Sequence, residues 1–374
     1  MSEGSRRLTG YERTALADHT AVRIGVLAPL TRPGWVESGQ HLLAGLELAV
    51  QDVNHAGGIA GRPLELVVRD TAADPHKAAA AVDELAHLGV AALAGEYHSV
   101  VARAAAARAD ALSLPFLCSS AVLDALTEQP TNWVARLAPA QSRGWRIYAD
   151  FLLGAGHRRI AVVADSSVYW ASGTRILRDV VTSQGGTLIE LDVRALDPPA
   201  VCQKVLAERA TALLLLVGYP EPVVSIVESI RRDQRLAGIL MGAPAGQPEL
   251  SEWTRSLGAK GLAIPFLRYL PERLTSLGAR VEAALRGALN EAPSFVAFEG
   301  YDTMAVLAEM LRSNGVDRAR MAESWPRVVV EGTRGTIRFS RVPGISVWQW
   351  AWAPVQVADR DPVQPGRFRI LHTG

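Results

Sequence analysis

A chain of 374 residues, 49% hydrophobic and 21% charged, can bury a large core and is too apolar for global disorder; its length suits two or three domains. The formal net charge of +1 gives no electrostatic reason to expect nucleic acid or an anionic membrane as partner. Cys118 and Cys202 lie far apart and make neither a CxxC nor a metal-ligand spacing, so no disulfide framework is expected.

Residues 1–21 carry charge throughout and lack an apolar segment and cleavage site, so they read as a mobile leader rather than a signal peptide or membrane span. As written, the chain reads as a cytoplasmic protein, or as an extracytoplasmic one if an export signal has been trimmed. The first β-type run is 22–27, followed by a loop that contains Trp35. Residues 40–54 have helical spacing, with Leu43, Leu46 and Val50 on one face, and the glycine-rich segment 57–63 breaks that helix. A second strand is expected at 64–68, and Asp74-Pro75 opens the next helix.

The stretch 91–126 then reads as strand, turn, helix, strand, turn. Its first strand ends at Gly95 and is followed by Glu96-Tyr97-His98-Ser99; its second ends at Cys118 and is followed by Ser119-Ser120. In a parallel sheet both clusters sit just past carboxyl strand ends, where such sheets bind ligands. Hydroxyls and free N–H groups at a helix start suit a carboxylate or amide head group, although serine is also an ordinary helix cap. A strand at 133–137 and Pro139 close this unit. A second α/β alternation follows, with strands at 159–163, 187–191, 212–217 and 238–241, and a further strand at 262–266. The element order predicts parallel sheets with crossover helices. The tail, 335–339 and 345–350, alternates like antiparallel strands. Its tryptophans suit a strand face on the core, an aromatic cage or a dimer interface.

Four segments resemble the type I periplasmic-binding-protein family, in its branch that binds branched-chain amino acids and amides. They are Ile24-Gly-Val-Leu-Ala-Pro-Leu-Thr31; Ala49 to Asn54 leading into Gly57-Gly-Ile-Ala-Gly-Arg-Pro63 and Arg69-Asp70; Gly218-Tyr219-Pro220-Glu221; and Tyr301-Asp302. The resemblance covers about 22–355. It implies an α/β fold of two Rossmann-like lobes with parallel sheets, joined by three crossovers, that closes like a hinge on a ligand held between them. The crossovers are expected near Pro139, Pro265 and Gly335. Lobe 1 is then 22–139 plus 265–334, and lobe 2 is 140–264 plus 335–374.

Carried over by position, the resemblance implies Ser99, Ser120 and Ala121 as head-group contacts in the first lobe, with Tyr97 in the same turn. It implies Tyr169 and Tyr219 as aromatic walls, Trp35 as a side wall, and Gln141 just past the first crossover. The chain departs from the family where an amino acid's ends would be held. Val122 stands where a threonine often helps grip the carboxylate, Gln141 where an acid usually meets the ammonium, and Ala243-Pro244-Ala245 where a second acid often follows. A buried ammonium without an anion costs several kcal/mol. A neutral or singly charged small ligand with an aromatic or amide portion is therefore expected, unless Glu96 or Glu299 supplies the anion.

The resemblance implies a solute-binding protein serving a membrane permease or, as the alternative, an intracellular amide-type sensor acting on a regulatory protein. Catalysis is not expected: there is no G-x-S-x-G elbow, H-E-x-x-H or P-loop, and neighbouring His98 and Ser99 point opposite ways if extended. No cofactor or metal is expected, and the scattered histidines offer no ligand spacing.

Overall fold

The computed structural model describes residues 21–374, so the expected leader lies, apart from Ala21, outside the described residues. The first α/β run is β1 (Val22–Ala28), α1 (Val36–His55), β2 (Leu64–Asp70), α2 (Pro75–His87), β3 (Ala92–Gly95), α3 (Ser99–Ala111), β4 (Phe116–Cys118) and β5 (Val134–Arg136). The second is α4 (Gln141–Gly154), β6 (Arg159–Ala164), α5 (Val168–Ser183), β7 (Thr187–Asp192), α6 (Pro198–Ala207), β8 (Ala212–Leu216), α7 (Val223–Arg232) and β9 (Leu240–Gly242). After these come α8 (Ser251–Leu257), β10 (Phe266–Arg268), α9 (Ser276–Leu289), α10 (Phe295–Asn314), α11 (Arg318–Ser324), β11 (Val329–Glu331), β12 (Thr336–Ser340), β13 (Trp348–Trp350), β14 (Gln356–Arg360) and β15 (Phe368–Thr373).

Local chemistry sets these boundaries. Asp74 caps α2 by accepting from the backbone of His76 at 2.7 Å and of Lys77, and Pro75 occupies the first turn, where its missing N–H costs nothing. After α1 the chain reverses through Gly58, at φ +73°, where a Cβ would stand 2.1 Å from the Arg62 carbonyl. Only glycine fits there.

β1 to β5 build the parallel part of an eight-stranded sheet in the order β11-β12-β13-β5-β4-β3-β1-β2. β6 to β9 form a four-stranded parallel sheet, β7-β6-β8-β9. β10, β14 and β15 make a small antiparallel sheet against α4. The fully buried strand β8, Ala212 to Leu216, shows the continuous apolar run typical of a central parallel strand.

The tail strands are grouped differently from the expectation. β12 and β13 do not join the second unit: Phe339 pairs antiparallel with Trp350, and Trp348 pairs parallel with Ala135 of β5, extending the large sheet. Phe266, expected to end a strand at 262–266, begins one, and it pairs with Ala358. The chain therefore leaves the large sheet after β5, returns between β10 and α9, and leaves again between β13 and β14. The first passage lies at Pro139; the other two lie past Pro265 and Gly335. Trp350 is buried and Trp352 is 82% exposed, so the tryptophan run is split between core and surface.

The closest helix contact joins α1 to α10. A Cβ at Gly45 would stand 1.9 Å from the Ala297 carbonyl, and one at Gly300 would stand 2.3 Å from the Leu42 carbonyl. The backbones touch there, so neither position can yield through side-chain rearrangement. Gly45→Leu is expected to cost at least about 3 kcal/mol, the upper range for overpacking, read as a lowered urea midpoint with an unchanged slope.

Candidate ligand-binding site

A cavity of about 250 Å³ lies among the carboxyl ends of both parallel sheets. The first unit contributes Tyr97, His98 and the first turn of α3, together with Ser120 and Val122 after β4. The second contributes Ser167, Tyr169 and Trp170 at the start of α5, Val217-Gly218 after β8, and Ala245 and Gln247 after β9. Trp35 from the β1–α1 loop, Tyr269 just past β10 and Phe295 at the start of α10 complete the walls.

Six of these side chains are aromatic. Tyr269 and Phe295 meet edge to face at 4.9 Å, and Tyr169 lies 4.7 Å from Trp170 and 5.8 Å from Trp145 behind it. Burial raises the pKa of the Tyr97, Tyr169 and Tyr269 phenols above the ordinary value, so they face the cavity as neutral hydroxyls. Among the described residues, no Asp, Glu, Lys or Arg side chain lines the cavity.

Its polar groups are asymmetric. α3 begins at Ser99 without a side-chain cap, and its first-turn N–H groups have no intrahelical acceptor. The Ser99 hydroxyl oxygen accepts from the backbone of Val122 and Leu123 at 3.2 and 3.3 Å, which ties the β4 loop to the helix start. Ser120 Oγ, buried beside the Glu299 carboxyl, has no partner of good geometry in the chain. A helix N-terminus with spare donors suits an anionic or carbonyl head group.

Of the sequence-derived candidates, Trp35, Tyr97, Ser99, Ser120 and Tyr169 border the cavity; Ala121, Gln141 and Tyr219 do not. The Ala121 N–H donates to the Glu96 carbonyl and is already used. Gln141 stands behind Tyr169, donating from Nε2 to its backbone oxygen at 2.9 Å. The Tyr219 ring turns outward, stacked between Trp35 at 4.6 Å and Trp253 at 6.1 Å, and its hydroxyl donates to the Glu252 carbonyl.

Neither candidate replacement anion reaches the cavity. Glu96 accepts from the Thr71 hydroxyl at 2.7 Å and from the backbone of Tyr97 and His98 at 2.8 and 3.0 Å. Glu299 is engaged by Arg334 at 3.2 Å. The residues not foreseen, Trp170, Gln247, Tyr269 and Phe295, mostly sit on irregular turns or helix starts. Tyr269 was recoverable in principle, since it follows a strand end once that strand is placed correctly.

A second set of contacts joins the two units beside the cavity. Glu37, on α1, accepts from the backbone N–H groups of Ser251 and Glu252 at the start of α8, the latter at 2.8 Å, and pairs with Arg255 at 3.0 Å. Arg32 pairs with Glu252. His41 Nδ1 accepts from the Ser294 N–H at 3.0 Å, leaving Nε2 to donate to Glu291 at 3.0 Å. Glu37, His41 and Glu291 bring three possible metal donors within 4.8 Å of one another, but these hydrogen bonds already occupy them.

Two α/β units with a ring-lined cavity at their facing strand ends define a ligand-binding protein of the type I periplasmic-binding-protein architecture. A family model described as periplasmic binding protein matches residues 21–352, and the chain belongs to that family. A Leu/Ile/Val-binding protein homolog from Brucella melitensis is 27% identical over 187 residues, 49% of this chain and 49% of that protein. The chain thus spans about half the length of the curated relatives it matches. A leucine-binding protein from Thermotoga maritima shares the fold with a TM-score of 0.80, at 20% identity over 93% of this chain and 97% of that one. A solute-binding protein of an R. palustris ABC transporter, solved with benzoate, superposes with a TM-score of 0.77 at 18% identity over 94% and 96%. Among the described residues, no helix is long and apolar enough to cross a membrane.

Proposed function

We propose that this chain is a non-enzymatic solute-binding protein that encloses a small aromatic acid between its two units and presents it to a membrane permease. The observation that carries this reading is a cavity walled by six aromatic rings, lacking any fixed side-chain charge, with an uncapped helix start on one side. Rings hold a planar apolar body. The α3 N-terminus favours a carboxylate by roughly 0.3–1 kcal/mol, rising to about 2 when partly buried. A free amino acid would bury its ammonium without an anion, at a cost of several kcal/mol.

The volume sits just below the roughly 300–1,000 Å³ of ordinary ligand pockets, which limits the occupant to about one ring and its head group. The benzoate-bound neighbour supports the reading to the extent that the same fold accommodates such a ligand. Ser120 and the α3 start would meet the carboxylate, while Tyr97, Tyr169, Tyr269 and Phe295 would hold the ring. Trp35 would close over it when the units come together. Gln141 and Tyr219 would act one layer back, fixing Tyr169 and Trp35.

A thermal-shift panel of benzoate, benzamide, leucine, isoleucine and phenylalanine tests this reading. At a hundredfold excess over Kd, a native-state ligand adds about 2.7 kcal/mol, enough to move the melt by several degrees. Benzoate is expected to produce that shift and the amino acids none. A shift with leucine and none with benzoate would overturn the proposal.

A further inference from the structure

Gln247 closes the second-unit side of the cavity and is 4% exposed. Gly246 before it takes φ +80°, and the chain turns into the short helical turn Gln247–Glu249, which brings the side chain to the wall. Nε2 donates to the Val217 carbonyl at the end of β8, at 3.2 Å. That bond settles which end of the amide is nitrogen, because a carbonyl needs a donor. Oε1 is then left buried with no partner in the chain. The tyrosine hydroxyls nearby can donate or accept and impose no direction, whereas an amide oxygen can only accept. The α3 start and Ser120 thus place donors on the first-unit wall, and the Gln247 amide oxygen stands as an acceptor on the wall contributed by the other unit.

We propose that Gln247 determines specificity: its Oε1 accepts a hydrogen bond from a hydroxyl or amino substituent on the ligand ring, so the chain selects donor-bearing aromatic acids over the unsubstituted acid. This rests on the reading of the cavity as an aromatic-acid site. A site with a buried polar atom discriminates strongly against a ligand that leaves the atom unmatched, because desolvation of that atom is then uncompensated.

Titration calorimetry on the full chain tests the proposal with benzoate, the three monohydroxybenzoates, 4-aminobenzoate and 4-methoxybenzoate. At least one hydroxy or amino compound is expected to bind about tenfold or more tighter than benzoate, a difference of about 1.4 kcal/mol, and 4-methoxybenzoate, which lacks a donor, is not. In Gln247→Met the preference, read as the ratio of the two affinities in the same variant, should shrink to within about threefold, since an apolar side chain of similar size removes the acceptor. The wild-type panel decides the matter even if that variant fails to fold. Equal affinities for benzoate and every donor-bearing compound overturn this proposal alone, as does a preference that survives in Gln247→Met. Failure of every aromatic acid to bind overturns the aromatic-acid reading and this proposal with it.

Discussion

Arg334→Met is expected to lower stability by about 3–5 kcal/mol near neutral pH, the cost of removing one partner from a buried ion pair, and to recover part of that loss in mild acid. The Arg334, Asp302 and Glu299 side chains are all fully buried. Arg334 Nε donates to Asp302 at 2.9 Å, and Nη1 donates to Glu299 and to the Tyr269 carbonyl, both at 3.2 Å. Its guanidinium also lies over the Trp350 ring at 5.1 Å. One cation thus serves two acids.

Burial pushes the Glu299 carboxyl up to about 7, with Arg334 and Ser120 pulling it down and Asp302 pushing it further up. A carboxyl near 7 in the folded chain against an ordinary 4.5 makes the folded state hold more protons than the unfolded state between those values. Its contribution is fully present below about 4.5 and is lost as pH rises through about 7. Without Arg334 the Glu299 carboxyl loses the charge that pulls it down, so the variant's deficit grows with pH. Urea midpoints at pH 5.5 and pH 8 check this, and Glu299→Gln should flatten the wild-type pH dependence over the same window. An Arg334→Met deficit that is equal at both pH values would show that Glu299 does not depend on the arginine for its charge.

This triad also shows what the sequence could and could not disclose. Tyr301-Asp302 was legible as a family mark, but its use was not: Asp302 anchors Arg334 and the Thr333 N–H at 2.6 Å, while the Tyr301 hydroxyl donates to Asp52 across the α1–α10 contact. Glu299, a reasonable candidate anion by position, is spent on the same arginine. The alternating units and the strand-end turns were readable because their apolar runs and breaking residues are local. The tail was not, because Trp348 finds its partner at Ala135 through a parallel pairing that no local pattern encodes. The cavity divides the same way. Residues just past well-marked strands, Tyr97, Ser99 and Ser120, line it. Gln247 and Phe295 come from a short turn and a helix start, and Tyr219 follows a strand but turns its ring outward to stack with Trp35 and Trp253.

The contacts of Glu37 predict a ligand effect at a distance. Glu37 does not border the cavity, and its carboxylate joins the first unit to the start of α8 and to Arg255 in the second. If the two units close around the ligand as proposed, these bonds exist only in the closed form and add to its stability. Hydrogen bonds to a charged group contribute about 1.5–3 kcal/mol each, and exposed Arg255 adds less. Where the open form dominates without ligand, every 1.4 kcal/mol taken from closure weakens apparent affinity about tenfold. Together the two backbone bonds come to about 3 kcal/mol or more, so Glu37→Ala is expected to raise the Kd of the best-binding aromatic acid by about 100-fold or more. Glu65→Ala, which removes only a surface pair with Arg23, should leave it unchanged. Calorimetry gives the affinities, and small-angle scattering of the ligand-free and saturated forms reports the closure itself. An unchanged Kd in Glu37→Ala, with scattering identical in the two forms, would mean that the units are already locked together before ligand arrives, and that entry to the cavity depends on movement of the Trp35 loop instead.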